Sequence, residues 1–256
     1  MSRSILICCP THDGKPGYLT AMTMQRMIVE CAERGWHSET AYRVHDSLIT
    51  RARDVAFSMF IHSDHTDLFF IDSDISCEPG DFPRLMDHPV ELVGGSYLGR
   101  KVEEEWVLKP LESLVLQFDQ SIKTGVMEVD AIPTGFMRIT RSCAEKMLRA
   151  REDEWYIDPT MPGNCEKLWL MFECRYYKEH RHVRTEDYEF CKKWRDLGGK
   201  VYVDPFLTLT HCGSQNFKGN LLEYLKRKNA ERDQIQSQQK ATVLDLAKAQ
   251  LAEAAA

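Results

Sequence analysis

Short apolar runs alternate with longer stretches of helical periodicity through the first hundred residues. Residues 4–9, Ser-Ile-Leu-Ile-Cys-Cys, stay apolar until Pro10-Thr11, as a buried parallel strand does on reaching a loop. Residues 18–34 keep helical spacing up to a stop at Gly35, the residue type that most often follows a helix end. The pattern then predicts a strand at 40–45, a helix at 48–61 carrying Arg51, Arg53 and Asp54, a strand at 67–71, and another at 90–95. Strand and helix alternating in this way imply a parallel, doubly wound α/β sheet.

The second hundred residues are less regular. Strand-like pieces fall at 106–111, 127–132, 136–140 and 168–176. Ser142-Cys-Ala-Glu145 has the form of a capping box opening a helix to residue 150, and Thr185 is placed to cap a helix running to 197,. Residues 200–210 return as a strand that reaches His211. From Asn220 the chain is charged and Gln/Ala-rich, and Leu222, Leu225, Val243, Leu246 and Leu251 recur at broken helical spacing. That spacing predicts a C-terminal helix that packs on the body or on a partner, including a second copy. The organisation expected is a βαβ half over 1–100, a less regular half of the same domain over 101–219, and a helix and tail over 220–256.

Composition narrows the classes. With 256 residues and 43% hydrophobic side chains the chain can bury a full core, so global disorder is excluded,. A net charge of −6 speaks against binding nucleic acid through overall basicity, though local grooves do not register in the sum,. The nine cysteines are odd in number, scattered through apolar segments and without metal-ligand spacing, so they read as reduced thiols of a cytoplasmic protein. The apolar run before Pro10 is too short for a signal peptide, and no segment has the length of a membrane span.

The chemistry concentrates at Asp72-Ser73-Asp74, directly after the apolar run 68–71. Ligands of open parallel sheets sit beyond the carboxyl ends of the strands. Two carboxylates there can hold one hard divalent cation that also takes diphosphate oxygens. D-x-D also marks turns by chance, and hydrophobic-D-x-D is the nucleophile motif of haloacid-dehalogenase-like phosphatases. In those phosphatases, however, the motif lies near the start of the chain, whereas here a complete β-α-β-α unit precedes it.

Several pieces occur in one order that resembles the GT-A-fold glycosyltransferases, in particular small single-domain members of the kind bacteriophages encode. They are Cys9-Pro-Thr11, Arg51-Ala-Arg-Asp54, Phe70-Ile-Asp-Ser-Asp74, Gly94-Gly-Ser-Tyr97, Pro133-Thr-Gly-Phe136, Thr185-Glu-Asp-Tyr-Glu-Phe190 and Thr210-His211. The resemblance implies a GT-A-like, Rossmann-like α/β fold with a mixed, mostly parallel central sheet and helices on both faces. It implies that Thr11, Arg51, Arg53, Asp72, Ser73, Gly95 and Gly135 border a nucleoside-diphosphate sugar. It also implies that Asp72, Asp74 and His211 hold Mn²⁺ or Mg²⁺.

Glu186-Asp187 resembles the acid pair of inverting members, in which one acid, usually the second, deprotonates the acceptor hydroxyl. Acids are also simply common in first helical turns. The Q-x-x-R-W motif and the spans of processive synthases are missing, as is the Gly-rich N-terminal loop of sugar nucleotidyltransferases. The expected activity is therefore transfer of a hexosyl or pentosyl unit, UDP-linked before GDP-linked, to an acceptor hydroxyl. A glycan acceptor and a hydroxymethylated DNA base are both compatible with the basic stretches 178–184 and 226–232. The competing expectations are the phosphatase and a non-catalytic protein that binds nucleotide sugar or nucleic acid.

Overall fold

The computed structural model describes residues 2–101, 104–111, 118–158 and 167–254. In chain order its elements are β1 (Ser4–Pro10), α1 (Tyr18–Glu33), β2 (His37–Arg43), α2 (Ile49–Ile61), β3 (Asp67–Ile71), β4 (Ile75–Cys77), α3 (Asp81–Asp87) and β5 (Leu92–Gly94). They continue with α4 (Phe118–Thr124), β6 (Met127–Val129), β7 (Phe136–Thr140), α5 (Arg141–Ala150), β8 (Trp155–Ile157), β9 (Lys167–Trp169) and β10 (Arg175–Tyr177). The last are β11 (His182–Arg184), α6 (Glu186–Asp196), β12 (Val201–Val203), β13 (Thr208–His211), β14 (Phe217–Asn220) and α7 (Leu221–Ala254).

A seven-stranded sheet, ordered β2-β1-β3-β7-β5-β12-β6, forms the frame. Its β1 pairs parallel with β2 and β3, and β5 pairs parallel with β12, while β7 and β6 run against their neighbours. The architecture is thus the mixed, mostly parallel α/β sheet expected. Strands β1 and β3 are buried almost throughout, which is why they read as unbroken apolar runs. One face packs Leu6, Cys8, Leu68 and Phe70 against Phe57 and Phe60 of α2, Met147 of α5 and Phe190 of α6. The other packs Ile5, Ile7, Phe69 and Ile71 against Met24 and Met27 of α1 and Phe82 and Leu85 of α3.

Several expected boundaries moved, each for a local reason. Strand β2 lies three residues before the predicted 40–45, because its register with β1 pairs Ser4 with His37 and Pro10 with Arg43. His45 leaves the strand region with φ 58°. The predicted strand 200–210 is two strands in two sheets. Its break falls at Asp204, whose carboxylate is taken by Arg84 and His88, and at Pro205, which has no N–H for a ladder,. The predicted strand 168–176 also divides, since Met171 and Phe172 donate their N–H groups to Asp54 and not to a neighbouring strand.

Helix α5 is capped by Thr140, whose hydroxyl accepts from Cys143 N, and not by a box at Ser142; the Ser142 hydroxyl donates to Glu91. In place of a strand at 106–111 there are isolated bridges at Trp106 and Lys109. Eight cysteines are free thiols, and Cys165 lies outside the described residues. Helix α7 anchors by Leu221, Leu222 and Leu225, which are buried, whereas Ile235 further along is exposed. Among the described residues no helix is long and apolar enough to cross a membrane.

Candidate active site

The end of β3 organises the site. Past Ile71 the chain turns through Asp72-Ser73-Asp74 and re-enters as β4, which pairs with β13 in a small three-stranded sheet with β14. The register of that sheet sets His211 opposite Ile75, and Cys212 N donates to Asp74 O at 2.7 Å. His211 is thereby brought from 137 positions away to 3.6 Å from the Asp74 carboxylate. Its Nδ1 lies 2.9 Å from Leu98 O. A carbonyl only accepts, so Nδ1 carries a proton, and Nε2 is the ring nitrogen that faces Asp74,.

Asp72 is held differently. Its N–H donates to Gly135 O at 3.0 Å, and both of its carboxylate oxygens accept from Arg53 Nη2 at 3.2 Å. Arg53 is buried, and its Nη1 donates to Glu186 at 2.7 Å. Asp72 and Glu186, the first of the two expected catalytic acids, therefore share one guanidinium. Burial pushes the Asp72 and Glu186 carboxyls above their ordinary range against the pull of Arg53. Burial opposes the charge of Arg53 too, but Asp72 and Glu186 more than offset it. Asp74 goes the other way. Although burial raises it, hydrogen bonding and charge from His211 and the charge of Arg100 hold it below the ordinary range.

Thr11, Asp72, Ser73 and Asp74 line one cavity of about 430 Å³ together with Pro10, His12, Arg43, Asp46, Ser47, Ile49 and Ala52, within the size range of small-molecule sites. Arg51 does not line it. It grips Asp46, with Nη2 at 2.8 Å from the carboxylate, and Asp46 lines the wall. Asp187 accepts from Thr185 Oγ1 and from Tyr188 N.

The two glycines differ. A Cβ on Gly135 would stand 2.4 Å from the Tyr97 hydroxyl and 2.9 Å from Asp72 Oδ2, so the bare backbone is what lets these groups converge,. A Cβ on Gly95 would instead meet Leu209 at 2.6 Å and Leu207 at 3.0 Å. The space in front of the Gly95 Cα is thus filled by core side chains.

Three further residues build the site. Tyr97 is buried, packs edge-on against His211 with ring centroids 5.1 Å apart, and closes the space above Gly135. Arg100 donates to the Asp74 carboxylate and to Cys212 O. Asp46 organises Arg43 and Arg51. Tyr97 and Arg100 follow the Gly94-Gly95 pair closely, which was the available signal; Asp46 had none.

The three expected metal ligands do not converge as a trio. Among the described residues no group of three or more His, Cys, Asp or Glu side chains is set to hold an ion, and both oxygens of Asp72 accept from Arg53. Asp74 and His211 do fit as a pair. They face each other at 3.6 Å, a carboxylate oxygen and an oriented imidazole nitrogen, and Mg²⁺ is typically bound through one or two carboxylates plus substrate phosphates.

No protein-family model and no curated protein matches the chain. Solved structures show weak likeness. The structure of A197 from STIV is 15% identical with a TM-score of 0.49, covering 85% of this chain and 94% of its own. S. aureus TarS 1-349 is 13% identical with a TM-score of 0.39, covering 79% of this chain and 58% of its own. GalNAc-T7 with UDP, GalNAc and Mn²⁺ is 12% identical with a TM-score of 0.40, covering 82% of this chain and 43% of its own. At these scores the function has to be read from the site itself.

Proposed function

We propose that this chain is a divalent-metal-assisted, inverting glycosyltransferase that takes a hexosyl or pentosyl unit from a UDP-sugar. The observation that carries the reading is the Arg53 bridge, which sets Asp72 at the cavity wall beside the Glu186-Asp187 pair at the start of α6. Donor and acceptor chemistry need to lie that close for a direct displacement.

The nucleotide lies in the cavity between Thr11 and Asp46, with its diphosphate toward Asp74. Asp74 and His211 are the residues that would hold Mg²⁺ or Mn²⁺. When bound, the ion supplies Lewis-acid neutralisation of the diphosphate. Arg100, on the same carboxylate, adds a second cation there. Asp187 takes the proton of the acceptor hydroxyl. The hydroxyl oxygen forms its bond to the anomeric carbon as the bond from that carbon to the diphosphate oxygen breaks, and the electron pair leaves with the diphosphate. Glu186 is committed to Arg53, so the second acid of the pair is the better base. A phosphatase would use the first acid of D-x-D as nucleophile, but both Asp72 oxygens are engaged by Arg53.

The test is release of nucleoside diphosphate from a panel of nucleotide sugars, with and without EDTA. Turnover that needs a divalent ion and is abolished by Asp74→Ala is expected. Turnover that survives both EDTA and Asp74→Ala overturns the reading.

A further inference from the structure

The chain is acidic overall at −6, yet one projecting hairpin has the opposite sign. Strands β10 and β11 pair antiparallel, Tyr176 opposite Val183 and Tyr177 opposite His182. Over residues 175–184 there are four cations, Arg175, Lys178, Arg181 and Arg184, against the single anion Glu179, plus His180 and His182.

The two faces of the hairpin are unlike. Inward, the buried Glu189 of α6 accepts from the Tyr177 hydroxyl at 2.8 Å, with Arg175 and Arg184 at 3.7 and 3.8 Å, which ties the hairpin to the body. Outward, Tyr176 is 59% and Val183 54% exposed. At the tip, Lys178, His180, Arg181 and His182 are exposed, and their side chains make no hydrogen bond or ion pair among the described residues. Cations elsewhere on this surface are commonly matched, as in Lys192–Asp196, Lys200–Glu128 and Lys218–Glu78. Both ends of the hairpin also lie beside Glu186. Arg184 leads through Thr185 into Glu186, and Cys174, just before β10, sets its Sγ 3.9 Å from Glu186.

We infer that this hairpin is the acceptor-docking surface and that its partner is a single-stranded nucleic acid. Unmatched cations at the tip suit phosphodiesters, whose binding releases condensed counterions. The exposed Tyr176 on the adjoining strand offers a stacking face, and aromatic stacking next to a cationic track is how single strands are gripped without dependence on sequence. A base-free polyanion would use the charges and leave Tyr176 idle. The inference builds on the transferase reading by naming the acceptor's class.

The experiment is fluorescence anisotropy of the full chain with a short labelled single strand of mixed sequence, its duplex, and polyvinyl sulfate as base-free competitor. The parent binds the single strand more tightly than the duplex. Lys178→Ala with Arg181→Ala weakens binding at least tenfold and flattens the slope of log K against log salt by about 1.4, for two phosphate contacts at roughly 0.7 each. Tyr176→Ala weakens it by about fivefold or more. Unfolding midpoints matching the parent show that each variant folds.

Single-strand binding that ignores all these substitutions, or no binding at all, overturns the inference. So does a Tyr176→Ala protein that binds like the parent while polyvinyl sulfate competes equally well, which would assign the hairpin to a base-free polyanion. Strand binding by a chain that turns over no nucleotide sugar keeps the docking surface and sinks the transferase; the reverse result sinks only the docking surface.

Discussion

Arg53 Nη1 lies 2.7 Å from Glu186 Oε1, although the two residues are 133 positions apart. Because the same guanidinium also engages Asp72, any change at position 53 disturbs both acidic centres at once. Lysine keeps the charge but not the fork, so Arg53→Lys can serve one partner only. The expected result is a loss of kcat/KM of about 10²-fold or more, with a stability loss of about 3 kcal/mol from the carboxylate left buried without its partner. Steady-state kinetics and denaturant unfolding read the two effects separately, and parent-like values in both would remove the bridge from the mechanism.

The acid pair divides by partner, so its amides divide by phenotype. Asp187→Asn removes the proposed base and is expected to lower kcat by about 10²–10⁴-fold with little change in donor affinity. Glu186→Gln leaves a hydrogen-bond acceptor in place but loses the charge beside buried Arg53, so its larger effect falls on stability,. Titration calorimetry with UDP alongside initial rates distinguishes them; equal kcat losses would argue against assigning the base to Asp187.

Gly135 is confined by the Tyr97 hydroxyl. The Cβ of Gly135→Ala would stand 2.4 Å from that oxygen, and overpacking of this kind typically costs about 1–3 kcal/mol. Tyr97→Phe removes the obstructing atom. The double variant is therefore expected to recover part of the loss, a coupling that a thermodynamic cycle measures. If the two effects simply add, the contact is not what excludes a side chain at 135.

The Asp74–His211 pair makes a claim about the ion that does not depend on turnover. His211→Ala is expected to weaken Mn²⁺ binding by at least tenfold in a paramagnetic-relaxation titration with UDP present. Substituting Leu98 leaves its carbonyl, and therefore the imidazole's orientation, in place. Mn²⁺ affinity unchanged by His211→Ala would take the histidine out of the ligand set.

Asp54 sets a pH dependence of stability. Burial pushes its carboxyl up to about 7, although the N–H groups of Met171 and Phe172 and the Tyr156 hydroxyl favour the ionised form. In the unfolded chain an aspartate titrates near 3.9. Between those values the folded state binds the extra proton, so this group's contribution is most favourable below about pH 4 and is lost as pH rises to about 7, at up to about 1.4 kcal/mol per pH unit. Urea midpoints across that range should fall more steeply for the parent than for Asp54→Asn. Parallel curves would mean that Asp54 is ionised throughout.

The chain's one-dimensional pattern was sufficient for whatever depends on local burial. The unbroken apolar runs of β1 and β3 announce strands covered on both faces, and the spacing of α1 and α6 announces helices with one buried side. The position of Asp72 and Asp74 at a strand's carboxyl end follows from that alone. What the pattern could not carry is anything set by register or by a partner far along the chain. The divided strands at 204 and 170 arise from side chains that capture backbone or charge, Asp204 and Asp54. His211 meets Asp74 because β13 leaves the main sheet to pair with β4, and Arg53 meets Glu186 because α2 and α6 pack on the same face. Hydrophobic periodicity encodes which face of an element is buried but not which distant element covers it, so the acids could be found in the sequence and their shared guanidinium only in the fold.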